Sequence, residues 1–249
     1  MKIYVIANQK GGVGKSTTAT TLAEILGSRS KTLLIDADPQ GNNTKTYQAQ
    51  VRDAATLYDV IIDADRLPIS DAIQHCKNGD IVASDPLLNK AEKMLDGDID
   101  GFYRLRDALE DLEGYDNIII DTAPSMNVLL YNALLAATDV IIPVTASSYA
   151  LQGIRQLYDT IMSVKKRQNP GIRIAGLLLV KYSGRSKIDR AVKEELEALA
   201  GEMGTKVFET TIRESVKVRE AQDQDRTLID YAPRCTSAQD YLAFAQELQ

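Results

Sequence analysis

A glycine-rich segment that ends in lysine and serine follows the first apolar run of the chain. Gly11, Gly12 and Gly14 permit tight backbone turns that aim N–H groups at one point, and such a nest binds phosphate. Lys15 is placed to meet the β- and γ-phosphates of a nucleotide, and the Ser16 hydroxyl to meet a magnesium ion. The sequence therefore predicts a phosphate site that is made of Lys10, Gly11, Gly12, Val13, Gly14, Lys15, Ser16 and Thr17.

This segment departs from the common phosphate-loop pattern at its start. Gln9 occupies the position of the leading glycine, and Lys10 comes directly before the glycine pair. The alternative is a glycine-rich turn that binds nothing. An apolar strand pattern before the segment and a helical pattern after it favour the phosphate site.

Three aspartates follow two other apolar runs. Asp36 and Asp38 come at the end of one run, and Asp121 ends another. Open parallel sheets bind ligands at the carboxyl ends of their strands, so these side chains are expected beside the phosphate site. Asp121 is the candidate magnesium ligand, directly or through water. The alternative for Asp36 and Asp38 is a structural role in ending a strand and capping a turn.

Short apolar runs alternate with longer segments of helical period along nearly the whole chain. The pattern predicts an α/β fold, a mostly parallel twisted sheet with helices on both faces, in one domain over residues 1–249. The strand candidates are 2–7, 32–35, 80–83, 117–120, 140–144 and 174–180. The helix candidates include 15–26, 151–164, 188–199 and 238–248.

Composition excludes several classes of protein. The net charge is −6, no apolar run has the roughly 18–20 residues of a membrane helix, and the first nine residues resemble a strand more than a leader. Two cysteines, Cys76 and Cys235, are too few for a disulfide framework. We therefore expect a cytoplasmic globular protein.

The motif Lys-Gly-Gly-Val-Gly-Lys-Ser-Thr at 10–17 resembles the deviant Walker A motif of the ParA/MinD superfamily of dimerising P-loop ATPases. The resemblance implies ATP and Mg²⁺ as cofactors and a nucleotide-sandwich homodimer, in which Lys10 reaches the phosphates bound by the partner subunit. Residues 36–42 resemble the first switch motif, which assigns the attacking water to Asp38, and residues 122–125 resemble the second. The implied catalytic residues are Lys10, Lys15 and Asp38, and the implied metal site is made of Ser16, Asp38 and Asp121.

The resemblance extends over essentially the full length, with two departures near the expected adenine pocket. Residues 180–183 read Val-Lys-Tyr-Ser where many relatives carry Thr-Met-Tyr-Asp, and Arg213 stands where they often carry proline. Lys181 and Arg213 are accordingly the nucleotide-binding candidates at that end of the site.

Sequence features separate the branches of this superfamily. A membrane-bound member needs a basic amphipathic C-terminal helix, whereas residues 237–249 hold two acids and no Lys or Arg. An iron-sulfur reductase needs two cysteines near the dimer axis, and neither Cys76 nor Cys235 lies in the expected loops.

Basic residues are concentrated in one part of the chain. Residues 155–219 hold 14 Lys and Arg against 8 Asp and Glu, a net charge of +6, and the remainder carries −12. This segregation favours non-specific DNA binding through phosphates, and a solvated helical face is the alternative. The candidate contacts are Lys165, Lys166, Arg167, Lys181, Arg185, Lys187, Arg190, Lys193, Arg213, Lys217 and Arg219.

These features predict a ParA/Soj-type plasmid or chromosome partitioning ATPase, cytoplasmic and nucleoid-associated, that does not act at a membrane. The ATP-bound dimer would bind DNA without sequence preference, and slow hydrolysis, stimulated by a ParB-like centromere-binding partner, would release it. Three alternatives stay open: a MinD-like ATPase at a membrane, an ATPase that positions a protein cargo, and a switch with negligible turnover.

Overall fold

A single seven-stranded sheet organises the molecule, which we describe from a computed structural model of residues 1–62, 67–95, 97–147 and 150–248. The strands are β1 (Lys2–Ile6), β2 (Thr32–Ala37), β3 (Ile73–Cys76), β4 (Gly79–Val82), β5 (Asn117–Thr122), β6 (Asp139–Thr145) and β7 (Arg173–Val180). Their order in the sheet is β3-β4-β2-β5-β1-β6-β7, and every neighbouring pair is parallel except β3 and β4. The predicted α/β fold class with a mostly parallel sheet is confirmed.

Helices cover both faces of this sheet. They are α1 (Lys15–Gly27), α2 (Asn42–Thr46), α3 (Leu57–Ile62), α4 (Ala91–Met94), α5 (Arg104–Glu110), α6 (Val128–Ala136), α7 (Ala150–Arg167), α8 (Lys187–Glu202), α9 (Val216–Asp223), α10 (Leu228–Tyr231) and α11 (Thr236–Glu247). The described helices include none with the length and apolarity needed to span a bilayer.

Two apolar clusters form, one on each side of the sheet. Alternate residues of each strand point to opposite faces, so Ile118 and Ile120 join one cluster and Ile119 joins the other. The larger cluster packs under α3, α5, α6, α7 and α8, and the smaller one under α1 and α11. Full burial on both faces explains the near-continuous apolar runs of the central strands.

The C-terminal helix docks on the smaller cluster, as the apolar stripe of Tyr241, Leu242, Ala245 and Leu248 in its sequence predicts. Tyr241 and Ala245 are buried, while Leu242 and Leu248 pack against the cluster at its margin. Phe244, which lies outside the predicted stripe, is also fully buried and packs edge-on against Phe208.

One strand, β3, was not predicted from the sequence, and α2, α3, α4, α5, α6, α9 and α10 were not among the named helix candidates. β3 is a four-residue antiparallel strand at one end of the sheet, too short and too polar to give a strand signal. α6 is buried on nearly every side, so it lacks the alternation of apolar and polar residues that marks a surface helix. At the other end of the sheet, residues 206–212 run beside β7, with backbone hydrogen bonds from Leu177 N to Lys206 O and from Ile212 N to Leu179 O.

Register places the acidic residues side by side. Asp36 of β2 and Ile6 of β1 are both partners of Asp121 in β5. The carboxyl ends of these three central strands therefore meet where the glycine-rich segment follows β1.

Candidate nucleotide and magnesium site

The glycine-rich segment connects β1 to α1 through a backbone that requires glycine at two positions. Gly12 and Gly14 have φ angles of +72° and +81°, values that residues with a Cβ rarely adopt. Gly14 directly precedes α1, so the free N–H groups of its first turn open towards the segment. A Cβ at Gly11 or Gly12 would meet no atom within 4 Å, which leaves open space where a phosphate would lie.

Asn8 fastens the start of this segment to the sheet. Its side-chain nitrogen donates to the Pro143 carbonyl of β6 at 2.7 Å, and its side-chain oxygen accepts from the Lys10 backbone N–H at 2.9 Å. Asn8 is buried, so both interactions are shielded from water. The amide thus fixes the entry to the phosphate loop.

The three lysines around the segment lie in different environments. Lys15 is buried and donates to the Lys10 carbonyl at 3.3 Å; burial lowers its pKa, and the carboxylates of Asp121 and Asp38 oppose that shift. Lys10 is exposed, and its Nζ donates to Ser147 Oγ of the same chain at 2.9 Å. Lys181 has a positive φ of 54° and donates to the Gly12 carbonyl at 3.0 Å.

The carboxylates gather at the carboxyl ends of β2 and β5. Asp36 and Asp121 are fully buried, and Asp38 is 7% exposed and lines the pocket. Thr44 holds Asp36, donating to Oδ2 from both its backbone N–H and its hydroxyl at 2.8 Å. The Gln40 N–H donates to Asp38 Oδ1 at 3.0 Å, and Ser84 Oγ donates to the Asp38 carbonyl at 2.6 Å.

Burial and mutual repulsion favour the protonated forms of the two buried acids. Desolvation raises the pKa of Asp36 to about 6, although hydrogen bonds from Thr44 oppose the shift. Desolvation and the Asp36 charge raise the pKa of Asp121, which the Ser16 hydroxyl and Lys15 partly offset. A bound cation would remove this penalty, because it attracts both carboxylates.

The donor set fits magnesium held together with a nucleotide. Asp121 Oδ1 is buried without a hydrogen-bond partner, and Ser16 lies within hydrogen-bonding reach of the same carboxyl group. These are hard oxygen ligands, and Mg²⁺ bound with phosphates needs only one or two carboxylates. The described residues contain no group of three His, Cys, Asp or Glu that would form a metal cage by itself.

A pocket of about 520 Å³ connects these groups. Its wall includes these residues predicted from the sequence: Gly11, Gly12, Gly14, Lys15, Ser16, Thr17, Asp38, Lys181 and Arg213. Three predicted residues are not part of the wall. Val13 is buried, Asp121 is buried at the carboxyl end of β5, and Lys10 reaches Ser147 instead.

The end of the pocket away from the phosphate loop is lined by both apolar and polar residues, and a purine base requires both kinds of contact. Ile212, Val218 and Ala221 contribute apolar surface. Gln222 donates to Thr17 Oγ1 at 3.1 Å and ties α9 to the start of α1. Arg213 lines this end, but its guanidinium is held by Asp240 of α11 at 2.6 Å, which raises the Arg213 pKa.

Sequence reasoning missed the polar residues that support the site. Asn8, Thr20, Asn43, Thr44 and Ser84 are all buried and hydrogen-bonded around the phosphate loop or the acids. Asn8 and Ser84 directly follow apolar runs, which was an available signal, whereas Thr20, Asn43 and Thr44 have no such position in the sequence.

Comparison with known proteins agrees with this geometry. A family model described as an AAA domain matches residues 1–174. The chromosome partitioning protein ParA of Caulobacter vibrioides is 36% identical, over 100% of this chain and 94% of that protein. The sporulation initiation inhibitor protein Soj of Bacillus subtilis is 38% identical, over 99% of this chain and 98% of that protein.

A solved structure has the same fold as this chain. Cobyrinic acid a,c-diamide synthase from Mycobacterium smegmatis, with a bound ATP analogue and magnesium, aligns with a TM-score of 0.84 at 28% identity, over 99% of this chain and 93% of that one. The resemblance stated from the glycine-rich motif is therefore confirmed. The chain belongs to the AAA-domain family and, within it, to the ParA/Soj-type partitioning ATPases.

Proposed function

We propose that residues 1–249 act as one ATPase domain that hydrolyses ATP to ADP and phosphate and uses the nucleotide to control DNA binding. The observation that carries the proposal is a pocket in which the phosphate loop and Lys15 share a wall with Asp38, beside the buried carboxylates of Asp36 and Asp121 at the ends of β2 and β5. The solved relative that contains an ATP analogue and magnesium supports this choice of cofactors.

Each residue of the site has a definite task in this proposal. The glycine backbone and Lys15 bind the phosphates, and Ser16, Asp121 and Asp38 provide oxygen ligands for Mg²⁺, which neutralises phosphate charge when bound. Asp38 also orients the attacking water, since one of its oxygens is held by Gln40 and the other is left for water. A carboxylate is a weak base at neutral pH, so hydrolysis by the isolated protein is slow.

Lys10 is proposed to act in a second subunit. Its ammonium group does not line the pocket of its own chain and is exposed, bonded to Ser147. In an ATP-dependent homodimer it would reach the phosphates bound by the partner, where a second cation stabilises charge during phosphoryl transfer. Arg213 is proposed to contact the nucleotide at the other end of the pocket, and Lys181, whose Nζ donates to the Gly12 carbonyl, is proposed to contact it beside the phosphate loop.

The fold divides the candidate DNA contacts between two edges of the sheet. α7 starts after the carboxyl end of β6 and ends before β7 begins, so Lys165, Lys166 and Arg167 lie near the amino edge. Residues 181–190 follow the carboxyl end of β7, and Tyr182 N donates to Ile212 O beside them. The candidate contacts, which lie in one part of the sequence, therefore form two clusters in the fold.

The cluster at the carboxyl edge is the better DNA surface, because it adjoins the nucleotide pocket. Arg213, Lys217 and Lys193 are neutralised by Asp240, Glu220 and Glu197. Besides Lys181, which donates to the Gly12 carbonyl, four exposed cations of this cluster form no ion pair within the described part of the chain: Arg185, Lys187, Arg190 and Arg219. We propose that these residues bind DNA phosphates without reading sequence.

The remaining parts of the proposal come from family membership. A ParB-like centromere-binding protein would stimulate hydrolysis and release the DNA. The protein would work in the cytoplasm on the nucleoid, with a plasmid or chromosome as cargo.

DNA binding under nucleotide control tests the proposal. Affinity for a non-specific duplex is measured with ATP, ADP and no nucleotide across a salt series, for the wild type, Lys10→Ala and Arg185→Ala/Arg190→Ala. We expect binding only with ATP, no binding by Lys10→Ala, and a salt slope reduced by about 2 in the double variant. The matched control is Lys165→Ala/Lys166→Ala, which removes the same charge from the other edge.

Two results would overturn parts of this proposal. If no nucleotide state binds DNA, the DNA-binding function is wrong. If the control lowers affinity as much as Arg185→Ala/Arg190→Ala, the assignment to the carboxyl edge is wrong.

A further inference from the structure

Asn43 lies at the pocket wall, and both the nitrogen and the oxygen of its buried side-chain amide form hydrogen bonds. It lies in the first turn of α2 and is 1% exposed. Its nitrogen donates to Asp121 Oδ2 at 2.9 Å, and its oxygen accepts from the hydroxyl of Thr20. The Asp121 carboxylate fixes the orientation of the amide, since a reversed amide would place its oxygen against that acceptor, and the Thr20 hydroxyl then holds the oxygen end.

This arrangement makes the two oxygens of Asp121 unequal. Oδ2 is occupied by Asn43, and Oδ1 is buried without a partner. Asn43 therefore determines which carboxylate oxygen stays available for a cation. A neutral donor suits this task, because it holds the carboxylate without competing for the cation or adding charge to a cluster that already contains three acids.

Asn43 also links two elements that carry the magnesium ligands. Thr20 follows Ser16 by four residues on α1, so both side chains lie on the same face of that helix. The chain of hydrogen bonds from Thr20 through Asn43 to Asp121 fixes the distance between this face and the end of β5. The next residue, Thr44, holds Asp36 in the same way.

We propose that Asn43 is a positioning residue that orients Asp121 for Mg²⁺ and so sets how strongly Mg²⁺ tightens ATP binding. The inference rests on the proposed nucleotide function, because it concerns the metal of that site. Partners of a metal ligand contribute about 10- to 100-fold to metal affinity.

Binding of a fluorescent ATP analogue measures this effect without relying on hydrolysis. Affinity is determined in EDTA and over a Mg²⁺ series for the wild type, Asn43→Ala and Thr20→Val. We expect Asn43→Ala to reduce the Mg²⁺-dependent gain in affinity about tenfold and to leave the affinity in EDTA unchanged. Thr20→Val should show a smaller loss in the same direction, because the amide remains but its oxygen loses the hydrogen bond that holds that end in place.

Asn132→Ala is the matched control for the loss of a buried asparagine. Asn132 is fully buried in α6, accepts from Leu105 N and donates to two carbonyls. Its loss should lower thermal stability and leave the Mg²⁺-dependent gain intact.

The possible failures are distinguishable. An unchanged Mg²⁺-dependent gain in Asn43→Ala, or an equal loss in Asn132→Ala, would overturn the role of Asn43 alone. A wild type that binds no ATP analogue with or without Mg²⁺ would overturn the proposed function and this inference together.

Discussion

Replacing Asp121 by asparagine should stabilise the protein without ligands while removing its response to Mg²⁺. Asp121 is fully buried, and one of its oxygens has no hydrogen-bond partner. An asparagine of the same shape can still accept from Asn43, and its new N–H can donate to the Ser16 hydroxyl, which already lies within reach of this side chain. The substitution therefore removes a buried charge and gives the side-chain atom that lacks a partner a hydrogen bond to Ser16.

The size of the gain follows from the unpaired atom. A buried polar atom without a partner costs about 1–3 kcal/mol. For a chain of this size, each kcal/mol changes Tm by about 2–4 °C, so we expect a gain of about 2–12 °C at pH 8 in EDTA.

The gain should depend on pH in a defined direction. The pKa values of Asp121 and Asp36 are raised in the folded protein, that of Asp36 to about 6, against about 3.9 in an unfolded chain. Protonation of these two groups therefore favours the folded state, and the stability that they contribute is lost as pH rises above about 4. The difference between Asp121→Asn and the wild type should be small near pH 4 and should grow towards pH 8.

Thermal unfolding in EDTA and in Mg²⁺ with ATP provides the assay. A saturating ligand at 100 times its Kd stabilises by about 2.7 kcal/mol, and Asp121→Asn should lose the Mg²⁺-dependent part of this shift. Asp139→Asn is the control. Asp139 is a buried acid paired with Arg173, so the same change at this position should destabilise the protein. The reasoning would be refuted if the Tm of the Asp121→Asn protein at pH 8 lay below that of the wild type, or if the variant kept its response to Mg²⁺.

Two further predictions concern residues outside the reacting groups. Burial raises the pKa of Glu24, and one of its carboxylate oxygens has no hydrogen-bond partner. Glu24→Gln should therefore raise Tm at pH 8, by an amount that shrinks towards pH 4. Glu194 is exposed, so Glu194→Gln should leave Tm unchanged, and an equal effect of the two substitutions would contradict the burial argument. A Cβ on Gly176 would lie 2.7 Å from the buried Phe208 ring, so Gly176→Ala should lower the free energy of unfolding in urea by about 1–3 kcal/mol. At Gly201, which lies in a helix, an added Cβ would meet no atom within 4 Å, so Gly201→Ala should raise the free energy of unfolding by about 0.5–1 kcal/mol. A Gly176→Ala protein as stable as the wild type would show that the Phe208 ring can move.

The fold was largely predictable because its strongest signals are local. Runs such as Ile118–Ile120 are buried on both faces of the sheet and therefore remain apolar at every position, and most strand bounds agree within one or two residues. β3 could not be predicted, because its pairing depends on β4 across a turn and not on its own residues.

The site was predictable where one short segment contains all the groups. Glycines, Lys15 and Ser16 act within a few residues of one another, so type and spacing are sufficient. Asn43 and Asn8 form hydrogen bonds with partners 78 and 135 residues away in the sequence, and no local sequence pattern indicates such long-range pairs. The division of the basic residues between two edges likewise depends on the direction in which each helix crosses the sheet.

The two ends of the sheet have a consequence for how copies of the protein can associate. β3 is only four residues long and ends at a charged turn, where Lys77 bonds to Asp230. At the other end, residues 206–212 already occupy hydrogen-bonding groups of β7. Crowded copies therefore find no long bare strand to extend within the described chain, which protects against irreversible aggregation. Association must use side-chain surfaces instead, and such contacts can be formed and dissolved repeatedly.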